Sequence, residues 1–163
     1  MIIDDKDKVL GGRRLEDGWH DAKIERLELL ENEYGRRIRV VFSIIADAFV
    51  YERSMFINPE TNGGLRALAT IIGITGTDKQ MGIQKEMTVS EFTEKYLANG
   101  RWEKLYPKLE KYLPGRPIRV LLESSEGKDG KTYQNVTQVD FAKKEDALPE
   151  VNDDELADDI FND

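Results

Sequence analysis

The chain has 163 residues, 39% hydrophobic and 34% charged, a balance typical of one globular domain with a water-exposed surface. It contains no cysteine, which excludes disulfides, thiol catalysis and cysteine-based metal sites, and its one histidine excludes a histidine-rich metal site. No apolar run approaches the roughly 20 residues that span a bilayer, and no signal-peptide pattern is present, so we predict a cytoplasmic protein that does not contact membranes.

The net charge of −8 is distributed unevenly along the chain. Residues 145–163 contain nine acidic and no basic residues, whereas residues 1–144 contain 23 acidic and 24 basic residues. The body therefore carries about +1 and the tail −9. Such asymmetry is typical of an interaction tail on a nucleic-acid or membrane binder, so the overall acidity does not exclude a polyanionic ligand.

These patterns predict three segments. Residues 1–17 mix charges around two glycines and form a flexible N-terminal arm, in which Arg13 and Arg14 are candidates for phosphate contact. Residues 18–144 form the folded domain. Residues 145–163 form a disordered acidic tail, because the apolar content there is too low to support a packed core.

Apolar residues alternate with polar ones over the first part of the domain, as in half-buried strands. Gly18–Leu30 is predicted as the first strand, and its apolar parity changes near Glu25-Arg26, which indicates a β-bulge. Arg36–Ile45 is the second strand and Phe49–Phe56 the third. Short turns join the three strands, so we predict an antiparallel meander.

Helical spacing replaces this alternation between Ile57 and Arg116. Leu65–Ile72 carries apolar residues at helical intervals, and Thr88 with Glu91 forms a capping box that begins a second helix. Trp102–Leu113 continues the helical pattern. The sequence therefore predicts a long helical insert after the third strand.

Strand pattern returns after this insert. Pro117–Ser124 is predicted as the fourth strand and Thr132–Phe141 as an irregular fifth, with a polar hairpin loop over Glu126–Lys131. Three strands, a helical insert and two strands predict a mainly β fold, the five-stranded Greek-key barrel of the OB-fold, with the helices between strands 3 and 4. An α+β sandwich, with helices covering one sheet face, is the alternative.

The sequence contains few features of an enzyme. His20 lies at the start of a strand, where a structural or surface role is expected. The sequence GKDGKT at Gly127–Thr132 lacks the first glycine of a phosphate-binding loop and sits between two strands. The acidic tail lacks the ligand spacing of a calcium loop. We therefore predict a protein without catalytic residues, cofactor or metal.

Cationic and aromatic residues instead alternate on the predicted strands. A single-stranded nucleic acid requires cations for its phosphates and flat rings on which its bases stack. The predicted ligand face contains Arg37, Arg39, Tyr51, Arg53, Lys128, Lys131 and Tyr133. Phe49 or Trp102 could add a further stacking ring. The alternative is that the arginines keep a sheet face soluble while the tyrosines fill the core.

The tail ends in Asp158-Asp159-Ile160-Phe161, followed by two further residues. A barrel core followed by such an acidic tail resembles the single-stranded DNA-binding proteins of bacteria and, with this long insert, more closely those of bacteriophages. The resemblance implies sequence-nonspecific binding and protection of single-stranded DNA in phage DNA replication, recombination or repair, in the cytoplasm of a host cell.

The resemblance also implies partners for the tail, which would recruit replication or recombination proteins through Asp158, Asp159, Ile160 and Phe161. The tail can also compete with nucleic acid for the basic face. The alternative is an OB-fold protein-interaction module whose acidic tail mimics nucleic acid. Oligomeric state, including a homodimer, and the choice between DNA and RNA are left open by the sequence.

Overall fold

The computed structural model describes residues 15–143, which form one five-stranded antiparallel sheet and a helical segment. The sheet order is β3-β2-β1-β4-β5, and the helices lie between β3 and β4 along the chain. The mainly β class and the five predicted strands are thereby confirmed. The strands are β1 (Gly18–Asn32), β2 (Gly35–Ala46), β3 (Phe49–Ile57), β4 (Pro117–Glu126) and β5 (Thr132–Asp140).

The long strand β1 joins the two halves of the sheet. Its first part, Gly18–Lys23, pairs with β4, and its second part pairs with β2. The register shifts between Ile24 and Arg26, which confirms the predicted bulge. There the backbone of Ile24 exchanges hydrogen bonds with Gly115 and Arg116, at 2.7 and 2.9 Å. The bulge therefore lies where β1 passes from one partner strand to the other.

A two-residue turn fixes the register of β2 against β3. Asp47 and Ala48 have φ values of 52° and 69°, the left-handed conformations that a type I′ hairpin turn requires. Residues opposite each other across this hairpin share a face of the sheet, and Ile44 lies opposite Tyr51. The inner face of β2 is buried, as its alternation predicted: Ile38, Val40, Phe42 and Ile44.

The helical segment contains four short helices, two of which begin with a side-chain cap. Thr61 Oγ1 accepts the Gly64 N–H at 3.0 Å, and Thr88 Oγ1 accepts the Glu91 N–H at 3.1 Å, as the predicted cap requires. A β-carbon at Gly64 would lie 1.9 Å from the Asn58 carbonyl oxygen, so only glycine fits there. The helices are α1 (Asn62–Ile74), α2 (Thr77–Gln80), α3 (Val89–Phe92), which continues as a π-helical turn (Thr93–Leu97), and α4 (Trp102–Tyr112).

The inner face of the sheet and the apolar sides of these helices share one core. Trp102 is only 2% exposed, and the Arg36 guanidinium stacks over its ring, 4.8 Å from the centroid. Arg36 also pairs with Glu60 and Glu103, at 2.7 and 2.6 Å. The helical contribution to the core includes Leu65, Leu68, Ile71, Ile72, Leu97, Leu109 and Leu113.

The N-terminal boundary of the folded domain differs from the prediction. The arm was expected to extend over residues 1–17, yet Leu15 is buried in the core. Gln134 Nε2 donates to the Leu15 carbonyl oxygen at 2.8 Å, and Asp17 accepts hydrogen bonds from Ser124. Residues 15–17 therefore belong to the folded body, because Leu15 and Asp17 are hydrogen-bonded to β4 and β5.

Candidate nucleic-acid interface

A groove of about 500 Å³ lies between β3 and β5, the two edges of the sheet. We call it the edge groove. The two edges contact each other where Arg53 Nε donates to Gln134 Oε1 at 2.8 Å. The edge groove is lined by Arg39, Glu52, Arg53, Ser54, Phe56, Ser124, Thr132, Tyr133, Gln134 and Asn135.

One wall of the edge groove is the outer face of the β2–β3 hairpin. Arg39 lies opposite Phe56 in the hairpin register, so both side chains are on the outer face. Arg39 Nε donates to Ser54 Oγ at 2.8 Å, and its guanidinium lies 6.0 Å from the centroid of the Phe56 ring. Phe56 is 54% exposed. This wall therefore presents a large aromatic surface next to a cation.

The other wall contains Tyr133, which the β4–β5 hairpin holds in place. A β-carbon at Gly127 would come within 2.6 Å of the Tyr133 ring, so the ring packs closely on the hairpin backbone. The Tyr133 hydroxyl donates to Asp129 Oδ2 at 2.5 Å. This hydrogen bond lowers the pKa of Asp129 and raises that of Tyr133. Tyr133 is still 47% exposed, so its ring is held in place and accessible at once.

Hydrogen bonds connect the edge groove to the start of the folded chain. The Gln134 amide accepts from Arg53 and donates to both the Leu15 carbonyl and Asp17 Oδ1, the last at 2.8 Å. Ser124 Oγ also donates to Asp17 Oδ1, at 2.7 Å. These bonds, with Gln134 first, lower the pKa of Asp17, because they stabilise its charged form.

Two arginines of this region, Arg26 and Arg39, are paired with carboxylates. Arg26 contacts Glu28 at 2.9 Å and Glu52 at 2.5 Å, and Arg39 contacts Glu28 at 3.1 Å. Hydrogen bonds from Arg26 lower the pKa values of both glutamates, which therefore remain charged at neutral pH. Sequence alternation alone predicted an outward basic face, whereas the folded chain places acidic residues of β1 and β3 among the arginines.

Three of the predicted ligand residues line the edge groove: Arg39, Arg53 and Tyr133. Lys128 and Lys131 lie exposed in the adjacent hairpin loop, and within residues 15–143 neither lies within 4 Å of a carboxylate. Arg37 is on the outer face of β2, as predicted, but it does not line the edge groove; its Nη1 donates to the Arg36 carbonyl.

The predicted stacking role of Tyr51 is not supported by its position. Tyr51 lies opposite Ile44 on the inner face of the hairpin and is only 6% exposed, so its ring offers no free surface to a base. Trp102 is likewise buried beneath Arg36. Phe49 is partly exposed near the β2–β3 turn, away from the edge groove.

Phe56 is the aromatic residue that sequence reasoning missed. A two-residue turn at Asp47-Ala48 makes Ala46 and Phe49 the first opposed pair, and each further pair lies one residue back on β2 and one residue on along β3. This register places Phe56 opposite Arg39 and Tyr51 opposite Ile44. Recognition of that turn in the sequence would have assigned both rings correctly. Glu52 could have been found in the same way, because it lies opposite Ser43 on the outer face.

His20 has a structural environment: its Nε2 lies 2.6 Å from the Glu16 carbonyl oxygen. In the described part of the chain, no three His, Cys, Asp or Glu residues are grouped so as to hold a metal ion. None of the helices between residues 15 and 143 is long and apolar enough to cross a membrane. Asp158, Asp159, Ile160 and Phe161, and the arm residues Arg13 and Arg14, lie outside the described residues.

Comparison with known proteins identifies no family: no protein-family model and no curated protein matches the chain. The chemistry of the edge groove itself therefore carries the functional assignment. The groove combines two exposed rings on opposite walls, Phe56 and Tyr133, with two arginines in its lining, Arg39 and Arg53. Such a combination is suited to an unpaired nucleic-acid strand, whose bases stack on rings and whose phosphates attract cations.

Proposed function

We propose that this protein binds single-stranded DNA without sequence preference and protects it during DNA replication, recombination or repair. The observation that carries the proposal is the edge groove, where Phe56 and Tyr133 present exposed rings on facing strand edges. Stacking on such a ring contributes roughly 1–3 kcal/mol per base and tolerates every base, because each base has a flat face.

We further propose that the sheet is a partly open OB-fold barrel. β3 and β5 are its outermost strands, and the Arg53–Gln134 hydrogen bond connects them, as expected of a barrel that closes through side chains at one seam. In this fold the ligand lies across strands 2 and 3 and the adjoining loops. Arg39 and Phe56 on β2 and β3 fit that location, as do Lys128 and Lys131 in the β4–β5 loop.

The acidic tail is assigned two roles in this proposal. Its charge of −9 allows it to compete with a polyanion for the cations around the edge groove. Its residues Asp158, Asp159, Ile160 and Phe161 recruit replication or recombination proteins, with the apolar pair entering a pocket surrounded by basic residues. The protein would act in the cytoplasm, of a host cell if it is encoded by a phage.

One observation favours a different function, that of a protein-interaction module. Arg26 and Arg39 are already paired with Glu28 and Glu52, so the groove is less cationic than a typical polyanion site. In this second proposal the folded domain is a scaffold, and the tail mimics nucleic acid by occupying a basic groove on a partner. It predicts no affinity for DNA, even when the tail is removed.

Fluorescence anisotropy with a labelled poly-pyrimidine oligonucleotide separates the two functions. We expect binding that weakens steeply between about 50 and 200 mM salt, because bound phosphates release counterions. An unlabelled single strand should compete much better than duplex DNA. Salt-insensitive binding, or equal competition by duplex, would contradict the first function, and no binding by either the full chain or the tail-deleted chain would favour the second.

Deletion of residues 145–163 tests the tail in the same assay. The deletion leaves every core residue of the described fold in place, since these lie between Leu15 and Val136. We expect the shortened protein to bind single strands at least as tightly as the full chain. Weaker binding by the shortened protein would refute competition by the tail, but would leave the proposed function of the groove intact.

A further inference from the structure

We infer that Trp19 and Arg119, on the outer face of β1 and β4, form a second subsite for the single strand that lies in the edge groove, where they take one base and one phosphate. The inference rests on the proposed function and extends it by naming a stacking ring outside the groove. Three observations lead to it: an exposed indole ring, an arginine beside it that is not in close contact with a carboxylate, and a short path along one sheet face to the groove. We call this pair, together with Asp21 and Lys143, the Trp19 patch.

Trp19 is the accessible one of the two tryptophans in the chain. It is 39% exposed, whereas Trp102 is 2% exposed. Ala22 of β1 is buried opposite Ile118 of β4, so alternation along the strand places Trp19, three residues earlier, on the outer face of the sheet. A base can therefore stack on the free surface of this ring without any change in the core.

The Arg119 guanidinium lies over the Trp19 ring, 5.5 Å from its centroid. Its contact with Asp21, from Nε to Oδ1, is 3.8 Å long, which exceeds a hydrogen bond. Nε is buried and has no hydrogen-bond partner within residues 15–143. Arg26 and Arg39, by contrast, contact carboxylates at 2.5 to 3.1 Å. Arg119 is thus held beside the ring by contacts that leave it able to bind a phosphate.

The carboxylates near Arg119 do not occupy its donors. Lys143 Nζ approaches the other oxygen of Asp21 at 3.6 Å, so this carboxylate is shared between two cations. Asp140 lies opposite Arg119 in the β4–β5 ladder, but its side chain accepts the backbone N–H of Phe141 at 2.8 Å. The Arg119 side chain is 30% exposed, so a phosphate can approach it from solvent.

A continuous stretch of the outer face joins the Trp19 patch to the edge groove. Trp19 lies opposite Leu121 of β4. Two residues further along β4, on the same face, Glu123 lies opposite Asn135 of β5, which lines the groove. Two strand spacings of about 4.8 Å and a two-residue rise of about 6.7 Å put the Cα atoms of Trp19 and Asn135 roughly 12 Å apart. Roughly three to four nucleotides at a stacked spacing of about 3.4 Å, or fewer in an extended strand, cover that distance.

This arrangement suits a strand better than a single nucleotide. One nucleotide can engage either the edge groove or the Trp19 patch, whereas a strand engages both at once. Its bases then stack on Phe56 and Tyr133 within the groove and on Trp19 beyond it. Arg119 supplies a phosphate contact at the far end of the path, where the paired arginines of the groove do not reach.

Tryptophan fluorescence reports on the patch directly, because the other tryptophan, Trp102, is buried. We expect an unlabelled poly-pyrimidine oligonucleotide to quench part of the wild-type emission. The quenching should occur over the concentration range in which anisotropy of the labelled oligonucleotide reports binding. Trp19→Phe keeps a flat ring at this position, so it should retain most of the binding while the quenching disappears.

Trp19→Ala should weaken binding about 5- to 150-fold, the loss expected for one stacked base. Tyr34→Ala is the matched control, because it removes a ring that is 82% exposed in the β1–β2 turn and lies outside both the groove and the patch. It should bind as tightly as the wild type. Urea unfolding of each variant checks that the fold is retained.

Arg119→Ala tests the phosphate contact separately. Its salt slope should be smaller by about 0.7, so the affinity ratio of wild type to variant should shrink about 2.5-fold between about 50 and 200 mM salt. Arg119→Lys should restore most of the slope, because it restores the charge. Arg66→Ala, which removes an exposed arginine of α1, should keep the wild-type slope.

Binding without tryptophan quenching, or quenching that persists in Trp19→Phe, would overturn the inference while the proposed function stands, because anisotropy still detects binding. Unchanged affinity in Trp19→Ala, an equal loss in Tyr34→Ala, or an unchanged slope in Arg119→Ala would also overturn it. Absence of binding by the wild type would instead refute the proposed function, and the inference with it.

Discussion

Two arginines three positions apart on β2, Arg36 and Arg39, each lie next to an aromatic ring, yet one ring is buried and the other is exposed to solvent. Arg36 lies over Trp102 and pairs with Glu60 and Glu103, and in this closed cluster, at the start of α4, the ring is 2% exposed. Arg39 lies beside Phe56 and pairs with Glu28, and in this open cluster the ring is 54% exposed.

The difference arises from the pleat of the strand. Residues 36 and 39 differ by an odd number, so their side chains project from opposite faces of the sheet. The inner face is covered by the helices, whereas no described element covers Phe56. The same combination of cation, ring and carboxylate therefore stabilises the fold on one face and remains accessible to a ligand on the other.

The largest effect is expected from Trp102→Ala in the closed cluster. Removal of a buried tryptophan leaves a cavity and should lower the free energy of unfolding by about 3–5 kcal/mol. Urea unfolding followed by circular dichroism measures this loss. Any variant that remains folded should bind single-stranded DNA as tightly as the wild type, and a selective loss of binding would show that the two clusters do not have separate roles.

A smaller effect, on binding and not on stability, is expected from Phe56→Ala in the open cluster. Loss of one stacking ring should weaken binding by roughly 1–3 kcal/mol, or about 5- to 150-fold. The free energy of unfolding should change by no more than about 0.5 kcal/mol.

Tyr34→Ala is the matched control, because Tyr34 is 82% exposed in the β1–β2 turn and does not line the edge groove. It should leave affinity unchanged. Equal losses from both variants would mean that any exposed ring contributes, which contradicts a specific role of Phe56. A large loss of stability in Phe56→Ala would mean that the ring belongs to the core after all.

The smallest effect concerns Asp17, which holds the start of the chain beside the groove. Its pKa is lowered in the folded state by the bonds from Gln134 and Ser124, so the charged form stabilises the fold above the usual pKa of 3.8. That stabilisation is lost as the pH falls through the lower, folded-state value. Asp17→Asn should therefore be slightly less stable than the wild type at neutral pH.

The stability difference between wild type and Asp17→Asn should become progressively smaller as the pH falls below about 4, because the unfolded wild-type chain then binds a proton at Asp17 that the folded state binds only at lower pH. Unfolding midpoints measured at neutral pH and at about pH 3 provide the test. A difference that stays constant with pH would show that the carboxylate charge does not contribute. The effect is small because the carboxylate is solvent-exposed and screened.

Much of the fold could be predicted because its signals are local. Alternation identified all five strands, and the change of parity at Glu25-Arg26 identified the bulge in β1. The Thr88 cap was predicted from two residues three positions apart. The predicted irregularity of the fifth strand is also present, since Thr137 has no partner where the register of the β4–β5 ladder shifts.

The candidate site was predicted only in part, because a ligand surface depends on which strands lie together. Arg39, Arg53 and Tyr133 were identified as surface residues, but the pairing of Arg39 with Glu28 joins two different strands, and the hydrogen bond from Arg53 to Gln134 joins residues 81 positions apart. Tyr51 was predicted as a stacking ring but is buried, and Phe56, to which no role was assigned, is the exposed ring, since parity within one strand does not reveal which face is covered.

The sequence by itself determined the elements: five strands, the helical insert between the third and fourth, the bulge, and the division of charge between body and tail. Only the tertiary structure decided that the two edge strands meet, that acidic residues of β1 and β3 lie among the arginines, and that Phe56 is the accessible ring. The physical reason is the distance in sequence over which each signal acts. Hydrophobic periodicity and helix capping involve residues that are only a few positions apart. Pairing register and burial, in contrast, depend on contacts such as Arg53 with Gln134, 81 positions apart.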